Sequence, residues 1–281
     1  MSVVSKVAVV GSGISGAVCA STLARNGVLV TLFDSARGPG GRMSRRRETT
    51  EDGKELFFDH GAPFFNVNDS DALALVQDWE SKGLVAEWKE NFGSLDRSSS
   101  KFVDIEQNGL IKKYVGVPGM NSICKALCVE PGVESKFGVG VGKMEWSEDE
   151  SLWSLTAMDG QKLGLFNGVV ASDKNIASPK FTELTGRPPP IEKDLCPGLA
   201  LKLQDIPVAP CFALMLAFAE PLSSVSHYLL AVLAFVDSSK FNRVDHYRTK
   251  LLLQCLSALY SSKCSSSVAY NLLLAEKEKE K

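Results

Sequence analysis

Apolar and polar positions follow a regular order in the first part of the chain. Val7 to Val10 form a short apolar run, which is typical of a strand buried on both faces of a parallel sheet. Small and apolar residues then recur at helical spacing from Ile14 to about Asn26, and Gly27 follows as a helix-terminating glycine. Val28 to Phe33 form a second apolar run. The pattern predicts a strand, a tight turn, a helix and a second strand.

A second amphipathic helix is predicted within residues 69–93. Three apolar residues at helical spacing mark its buried face: Leu73, Val76 and Trp79. Either Asp69 or Ser70 is placed to cap its first turn, and a short strand carrying Trp88 follows. Residues 113–128 predict a glycine turn that leads into a further helix.

Later in the chain, alternation with a period of two predicts strands. Residues 133–172 predict a β-meander with turns at 148–150 and 159–160, closed by a buried strand in the sequence GVVAS. Turn residues dominate from about Asp173, and residues 199–222 then predict strands of an antiparallel substrate sheet. Helices are predicted near 226–236 and 246–260, and the closing AEKEKEK predicts a solvated helix end or a disordered terminus.

Charge and composition exclude several classes of function. A net charge of −2 provides no basic excess for a nucleic-acid groove. Seven cysteines are scattered, and the pair Cys124 and Cys128 lacks neighbouring ligands, so buried thiols are favoured over zinc and no metal is predicted. The longest apolar run, 228–236, is shorter than the roughly 20 residues that a bilayer requires, so no membrane partner is expected. Without a visible presequence, the cytosol is the default location.

The turn between the first strand and the first helix carries the pattern G-x-G-x-x-G. The residues predicted to bind a dinucleotide here are Gly11, Ser12, Gly13, Ser15 and Gly16. Glycines allow a tight turn and a close approach to a pyrophosphate, and the helix N-terminus attracts the anion. Asp34 ends the second strand, where a carboxylate accepts hydrogen bonds from a ribose diol and repels a 2′-phosphate.

Two further motifs resemble one flavoprotein family. The sequence GPGGRM at 38–43 resembles the second glycine motif of the family that includes amine oxidases and renalase, and FFDHGAPFF at 57–65 resembles renalase and its relatives in particular. The resemblance implies FAD as cofactor, with Gly41 and Arg42 approaching its pyrophosphate. A guanidinium fork matches phosphate oxygens, and glycines permit the close approach.

The resemblance assigns further residues to the cofactor. It implies that Gly61, Ala62, Pro63 and Phe64 lie along the flavin, and that the backbone of Val141 contacts the adenine. Many relatives have Gln and Tyr where this chain has Pro63 and Phe64. The chain therefore lacks those polar groups near the ring.

Two interpretations are possible for His60, and two for the group of three arginines that follows the glycine motif. His60 is favoured as a structural rather than a catalytic residue. Arg45, Arg46 and Arg47 predict a solvated basic strand edge, with binding of a second dinucleotide as the alternative.

The implied fold is α/β: a Rossmann-type FAD-binding domain with a parallel sheet and a β-meander, plus an inserted α+β substrate domain. The predicted boundaries are 1–68 and 113–175 for the FAD-binding domain, 69–112 and 176–225 for the substrate domain, and 226–281 for a divergent C-terminal tail. All 23 glycines lie at or before Gly198. The tail therefore has no copy of the Gly-Asp turn with which the family's flavin site ends.

The motifs are compatible with three functions. The first is a renalase-like FAD oxidoreductase that takes hydride from a small substrate of the NAD(P)H type and passes electrons to oxygen. Hydride transfer requires no general base, so no catalytic side chain is predicted. The second is a flavin amine oxidase, and the third is a truncated, non-catalytic form that retains only the dinucleotide-binding fold.

Overall fold

The chain forms two compact units, each assembled from separated segments. The computed structural model describes residues 5–88, 93–96, 101–104, 112–191, 202, 211–218 and 268–275. The first unit comprises Met1–Ser44, Val67–Glu87 and Tyr114–Pro207, and the second comprises Arg45–Asn66, Trp88–Lys113 and Val208–Lys281.

A parallel sheet of four strands forms the centre of the first unit. Its strands are β1 (Lys6–Val10), β2 (Leu29–Asp34), β10 (Val133–Phe137) and β14 (Gly168–Ala171), in the order β10-β2-β1-β14. Val9 pairs with Leu32 on one side and with Val170 on the other. The predicted α/β fold of Rossmann type with a parallel sheet is therefore confirmed.

Helix α1 (Ile14–Arg25) connects β1 to β2, as predicted. Its buried face consists of small residues: Gly16, Ala17, Ala20 and Ser21. Small side chains let the helix lie close to the sheet and to α3 (Asn121–Cys128), against which it packs. Gly27 follows the helix with a φ of +81°, a left-handed conformation that ends the helix without strain.

Three antiparallel strands form the meander of the first unit. They are β11 (Val141–Ser147), β12 (Leu152–Ala157) and β13 (Lys162–Phe166), and their turns fall where the sequence predicts them. The prediction is wrong for 133–137, because this segment is β10 of the parallel sheet and not a meander strand. Alternation predicts a strand but not its partner. Here backbone bonds from Gly138 N to Ala36 O (2.8 Å) and from Val139 N to Asp34 O (2.9 Å) hold the segment after β10 at the end of β2.

Besides a 3-10 turn at Gly41–Met43, the first unit contains five further described elements. They are α2 (Ser70–Ser81), β6 (Val85–Glu87), most of β9 (Lys113–Gly116), a 3-10 turn (Lys174–Ala177) and α4 (Pro179–Thr185). Asp69 caps α2, since its side chain accepts hydrogen bonds from the backbone N–H groups of Asp71 and Ala72. Val76 and Trp79 are buried as predicted, while Leu73 is half-buried.

The described part of the second unit contains three antiparallel strand pairs. They are β3 (Arg46–Thr49) with β4 (Glu55–Phe58), β7 (Gly93–Asp96) with β8 (Lys101–Asp104), and β15 (Cys211–Phe218) with β16 (Val268–Ala275). The short strand β5 (Phe65–Asn66) also belongs to this unit. The prediction of antiparallel strands within 199–222 is confirmed for Cys211–Phe218. The helices predicted near 226–236 and 246–260, and the closing residues 276–281, lie outside the described residues.

No described helix is both long enough and apolar enough to cross a membrane.

A charged cluster fastens α1 to the segment after α3. Arg25 Nε donates to Glu130 Oε2 at 2.8 Å, and Ser21 Oγ donates to the same oxygen at 2.7 Å. The hydrogen bond from Arg25, followed by the one from Ser21, holds the pKa of Glu130 below its ordinary value despite partial burial.

The Glu130 cluster predicts a loss of stability in acid. A lowered folded-state pKa stabilises the protein above the unfolded value, about 4.3 for glutamate, and this stabilisation disappears as the pH falls through the folded value. We expect Glu130→Gln to lower the free energy of unfolding by only about 1 kcal/mol at pH 7, because the Arg25 side chain is 46% exposed and solvent screens the pair. The difference from the unmodified chain should shrink below about pH 4. Urea unfolding at several pH values measures both effects. The matched variant Glu148→Gln, at an exposed turn position, should lie within about 0.5 kcal/mol of the unmodified chain.

Candidate functional site

The turn after β1 is built so that two of its glycines cannot be replaced. Gly11 has a φ of +103°, and a Cβ on it would lie 2.4 Å from Ser172 Oγ. A Cβ on Gly16 would lie 2.0 Å from the backbone oxygen of Gly11. The turn therefore requires a residue that adopts a positive φ at position 11. At position 16 it requires a residue without a side chain, because α1 lies directly against the backbone of Gly11 there.

The middle glycine of the turn, Gly13, has space around it. Gly13 is the N-cap residue of α1 with a φ of −64°, and the nearest atom to a Cβ placed there is Gly41 Cα at 3.9 Å. No side chain caps α1, and its first turn contains no acidic residue. Ser15 lies exposed in this first turn. Unsatisfied backbone N–H groups at the positive end of a helix dipole are suited to an anion.

Asp34 ends β2 directly beside this turn. Ser12 donates to its Oδ2 twice, from the backbone N at 2.7 Å and from the hydroxyl, and Ala36 N donates to Oδ1 at 2.8 Å. Ser12 is fully buried, whereas Asp34 is half-buried. The carboxylate is thus fixed at the carboxyl edge of the sheet, with part of its surface open.

The second glycine motif is joined to the first through backbone atoms. Gly40 N donates to Ser12 O at 3.0 Å, and Gly13 and Gly40 form a parallel bridge. Gly41 adopts a φ of +52°, and a Cβ on it would lie 3.1 Å from Gly13 Cα. Such proximity leaves little room for a side chain. The structure therefore brings the two motifs together, although 24 residues separate Gly16 from Gly41 in the sequence.

Arg42 lies within a 3-10 turn formed by Gly41–Met43. Met43 is buried and anchors this turn, whereas Arg42 is exposed. The structure consequently places an exposed guanidinium-bearing residue next to the open glycine and the uncapped start of α1.

Ser172 is a residue of this site that sequence reasoning missed. It directly follows β14, and its hydroxyl donates to Val10 O at 3.0 Å and to Gly11 O at 3.1 Å. Its backbone N also donates to Val10 O at 2.9 Å. Ser172 thereby packs under the turn from the adjacent strand. A polar residue at the carboxyl end of a predicted buried strand was the available signal.

Val141 lies at the start of β11 and contributes its side chain to the core. It is 4% exposed and packs in one cluster with Ala8, Val10 and Phe33. The preceding loop bonds to the end of β2 through Gly138 and Val139. Val141 is therefore close in the fold to the strand end that carries Asp34, and its backbone contact with adenine remains a prediction.

The other predicted flavin contacts lie in the second unit. Gly61, Ala62, Pro63 and Phe64 connect β4 to β5, with Gly61 exposed and the others half-buried. The ring of Phe64 lies against that of Trp88, with centroids 5.5 Å apart. Their placement along a flavin stays a prediction. His60 Nδ1 is buried without a hydrogen-bond partner within the described residues, and its structural role stays a prediction too.

The three arginines of the basic segment differ in their surroundings. Arg46 is exposed and forms an ion pair with Glu48 at 2.6 Å, and Arg47 is exposed, as predicted for a solvated edge. Arg45 departs from that prediction. Its side chain is only 19% exposed, because it pairs with Asp59 at 3.5 Å and lies over the ring of Phe57. Packing and pairing thus cover one of the three charges.

The two neighbouring cysteines of α3 are buried thiols, as predicted. Burial raises the pKa of Cys124 to about 12 and that of Cys128 to about 11. Both thiols therefore stay protonated and unreactive near neutral pH. Within the described ranges, His, Cys, Asp and Glu form no cluster of three that could hold a metal ion.

Comparison with known proteins agrees with this fold. Residues 9–79 match the model of the NAD(P)-binding Rossmann-like domain family, and this segment contains the glycine turn, α1, Asp34 and the second glycine motif. The PF1083 protein from Pyrococcus furiosus aligns over 94% of this chain and 88% of its own length, with 11% identity and a TM-score of 0.58. That likeness shows the fold alone.

Two enzymes of known structure align with a smaller share of this chain than the PF1083 protein does. The tetracycline destructase Tet(51) aligns over 61% of this chain and 39% of its own, with 13% identity and a TM-score of 0.38. The 2,6-dihydroxypyridine-3-hydroxylase from Arthrobacter nicotinovorans aligns over 66% of this chain and 41% of its own, with 17% identity and a TM-score of 0.40. The chain thus spans about two fifths of the length of these two enzymes.

Proposed function

We propose that this chain is an FAD-dependent oxidoreductase resembling renalase, which oxidises a small substrate of the reduced nicotinamide type with oxygen as electron acceptor. The observation that carries the proposal is the backbone junction of the two glycine motifs at Gly13 and Gly40. A single glycine turn with Asp34 suffices for a nicotinamide dinucleotide. A second glycine loop with an exposed arginine, here Arg42, is expected in addition for the flavoprotein family that the chain resembles.

The residues of the junction fit the ADP half of FAD. Space beside Gly13 and the uncapped start of α1 accommodate a pyrophosphate, and Asp34 provides an acceptor for the adenosine ribose. Arg42 is exposed next to this space and supplies a fixed positive charge for phosphate oxygens. Bound FAD would supply the two-electron redox chemistry of the proposed reaction.

The segment after β4 is proposed to lie along the flavin ring. Ala62, Pro63 and Phe64 offer small or apolar surfaces, which suit a planar aromatic ring. They bring no ionisable group to the ring, in keeping with a hydride transfer that requires no general base.

An absorption spectrum of the purified full chain, before and after denaturation, tests the proposal first. We expect a flavin spectrum close to one flavin per chain, or stoichiometric uptake of added FAD. A colourless protein that takes up no FAD would refute the proposed enzyme function. If such a protein still binds ADP, the remaining interpretation is a non-catalytic chain that retains only the dinucleotide-binding fold.

Arg42→Ala tests the role of the second glycine motif. Loss of a charge-assisted contact with phosphate should weaken FAD binding about 10- to 100-fold, which fluorescence titration with FAD measures. Arg46→Ala is the matched control, because Arg46 is also exposed but pairs with Glu48. Equal FAD affinity in the Arg42→Ala variant and the unmodified chain would contradict a phosphate contact at this position.

Anaerobic mixing of the flavin-loaded chain with candidate donors separates the two enzyme hypotheses. Bleaching of the flavin band by NADH, NADPH or their isomers supports the proposed substrate class. Bleaching by small amines or polyamines alone would replace it with the amine oxidase.

A further inference from the structure

We infer that Asp34 accepts only one hydroxyl of the adenosine ribose, because Ser12 occupies one of its two oxygens. This inference rests on the proposed dinucleotide site and concerns the number of ribose hydroxyls that the site recognises. In this role Ser12 is a positioning residue, since it acts on the ligand through Asp34.

A count of acceptor positions carries the inference. An ionised carboxylate offers about four lone-pair positions, two on each oxygen. Oδ2 of Asp34 accepts from both the backbone N and the hydroxyl of Ser12, so its two positions are filled. Oδ1 accepts from Ala36 N at 2.8 Å and keeps one position. A ribose diol that needs both oxygens therefore finds only one of them open.

A ligand is not expected to displace Ser12 from Oδ2. Ser12 is 0% exposed, so its hydroxyl and N–H have no access to water as alternative partners. Its carbonyl also accepts from Gly40 N, which holds the residue between the two glycine motifs. Breaking the bonds to Asp34 would leave two buried donors unpaired, a state that folded proteins avoid.

Binding of ADP, 2′-deoxy-ADP and 3′-deoxy-ADP to the full chain, freed of any copurified flavin, tests the inference by calorimetry. We expect one deoxy analogue to bind about 10-fold more weakly than ADP, because it lacks the hydroxyl that donates to Oδ1. The other analogue should stay within about twofold of ADP. Similar losses for both analogues, or for neither, would overturn the inference.

Ser12→Ala tests the assignment to Ser12. Removal of the hydroxyl frees one position on Oδ2, so both ribose hydroxyls should then contribute and both deoxy analogues should bind more weakly than ADP. Ser21→Ala is the matched control, since Ser21 is also a buried serine that donates to a carboxylate, that of Glu130. In the Ser21→Ala chain, only one of the two deoxy analogues should bind more weakly than ADP, as in the unmodified chain. This control shows that a general loss of stability does not change the pattern.

The outcomes separate this inference from the proposed function. If ADP binds and the one-sided pattern is absent, the single-hydroxyl site is wrong while the dinucleotide site stands. A Ser12→Ala chain that keeps the one-sided pattern would remove Ser12 from the explanation. ADP that does not bind at all would refute the dinucleotide site, and with it this inference.

Discussion

Gly16→Ala is expected to destabilise the first unit strongly and to weaken its binding of ADP. The added methyl would lie 2.0 Å from Gly11 O and 2.6 Å from Ser172 Oγ, far inside any contact that real Cβ atoms make. Because Gly11 O belongs to the turn itself, relief requires α1 to move away from β1. We expect the free energy of unfolding to fall by about 3 kcal/mol or more, measured by urea unfolding followed by circular dichroism.

Gly13→Ala separates stability from binding at the same turn. At Gly13 the nearest atom to the new methyl is Gly41 Cα at 3.9 Å, an ordinary contact, and the φ of −64° suits any residue. Loss of a good N-cap residue should cost only about 1 kcal/mol. The methyl would nevertheless occupy the space proposed for the pyrophosphate, so ADP affinity should fall about 10-fold or more.

Two outcomes would contradict these expectations. A Gly16→Ala chain as stable as the unmodified one would mean that α1 does not contact the turn as described. A Gly13→Ala chain that binds ADP normally would place the pyrophosphate elsewhere.

Phe166→Ala is expected to cause the second large effect. Phe166 is fully buried at the end of β13 and meets the ring of Phe33 edge-on, with centroids 5.9 Å apart. Truncation removes the buried ring and leaves a cavity, which typically costs about 3–5 kcal/mol. Thermal unfolding should show a decrease in Tm of roughly 10 °C for a chain of this size.

Leu165→Ala is the matched control for Phe166→Ala. Leu165 is the preceding residue of the same strand, points to the opposite face and is 43% exposed. Its truncation should cost less than about 1 kcal/mol. Equal destabilisation by the two substitutions would contradict the burial of Phe166.

Because Phe33 directly precedes Asp34 in β2, Phe166→Ala should also weaken ADP binding, by a few-fold.

Local patterns predicted the elements of the site well. The apolar run Val7–Val10, the helix from Ile14 and the strand that ends at Asp34 are all present where the sequence places them. Asp69 caps its helix as one of the two predicted candidates. These features depend on neighbours within a few residues, so that periodicity, capping and glycine spacing encode them directly.

Contacts between distant segments were less accessible from the sequence. The segment Val133–Phe137 reads as another meander strand, yet it pairs with β2 in the parallel sheet. Ser172 reads as the end of a buried strand, yet its hydroxyl supports the glycine turn. Alternation and residue type reveal that a segment is a strand, but not which open sheet edge it joins.

The sequence by itself determined the strand–turn–helix–strand unit, its three glycines and the acidic residue that ends β2. Only the tertiary structure decided that Gly40 pairs with Gly13, that Ser12 fills one side of Asp34, and that Arg45 is covered while Arg46 is exposed. The physical reason is the range of the interactions. Helices, turns and caps follow from hydrogen bonds within a few residues, whereas the donors that fill a carboxylate depend on which segments the fold brings together.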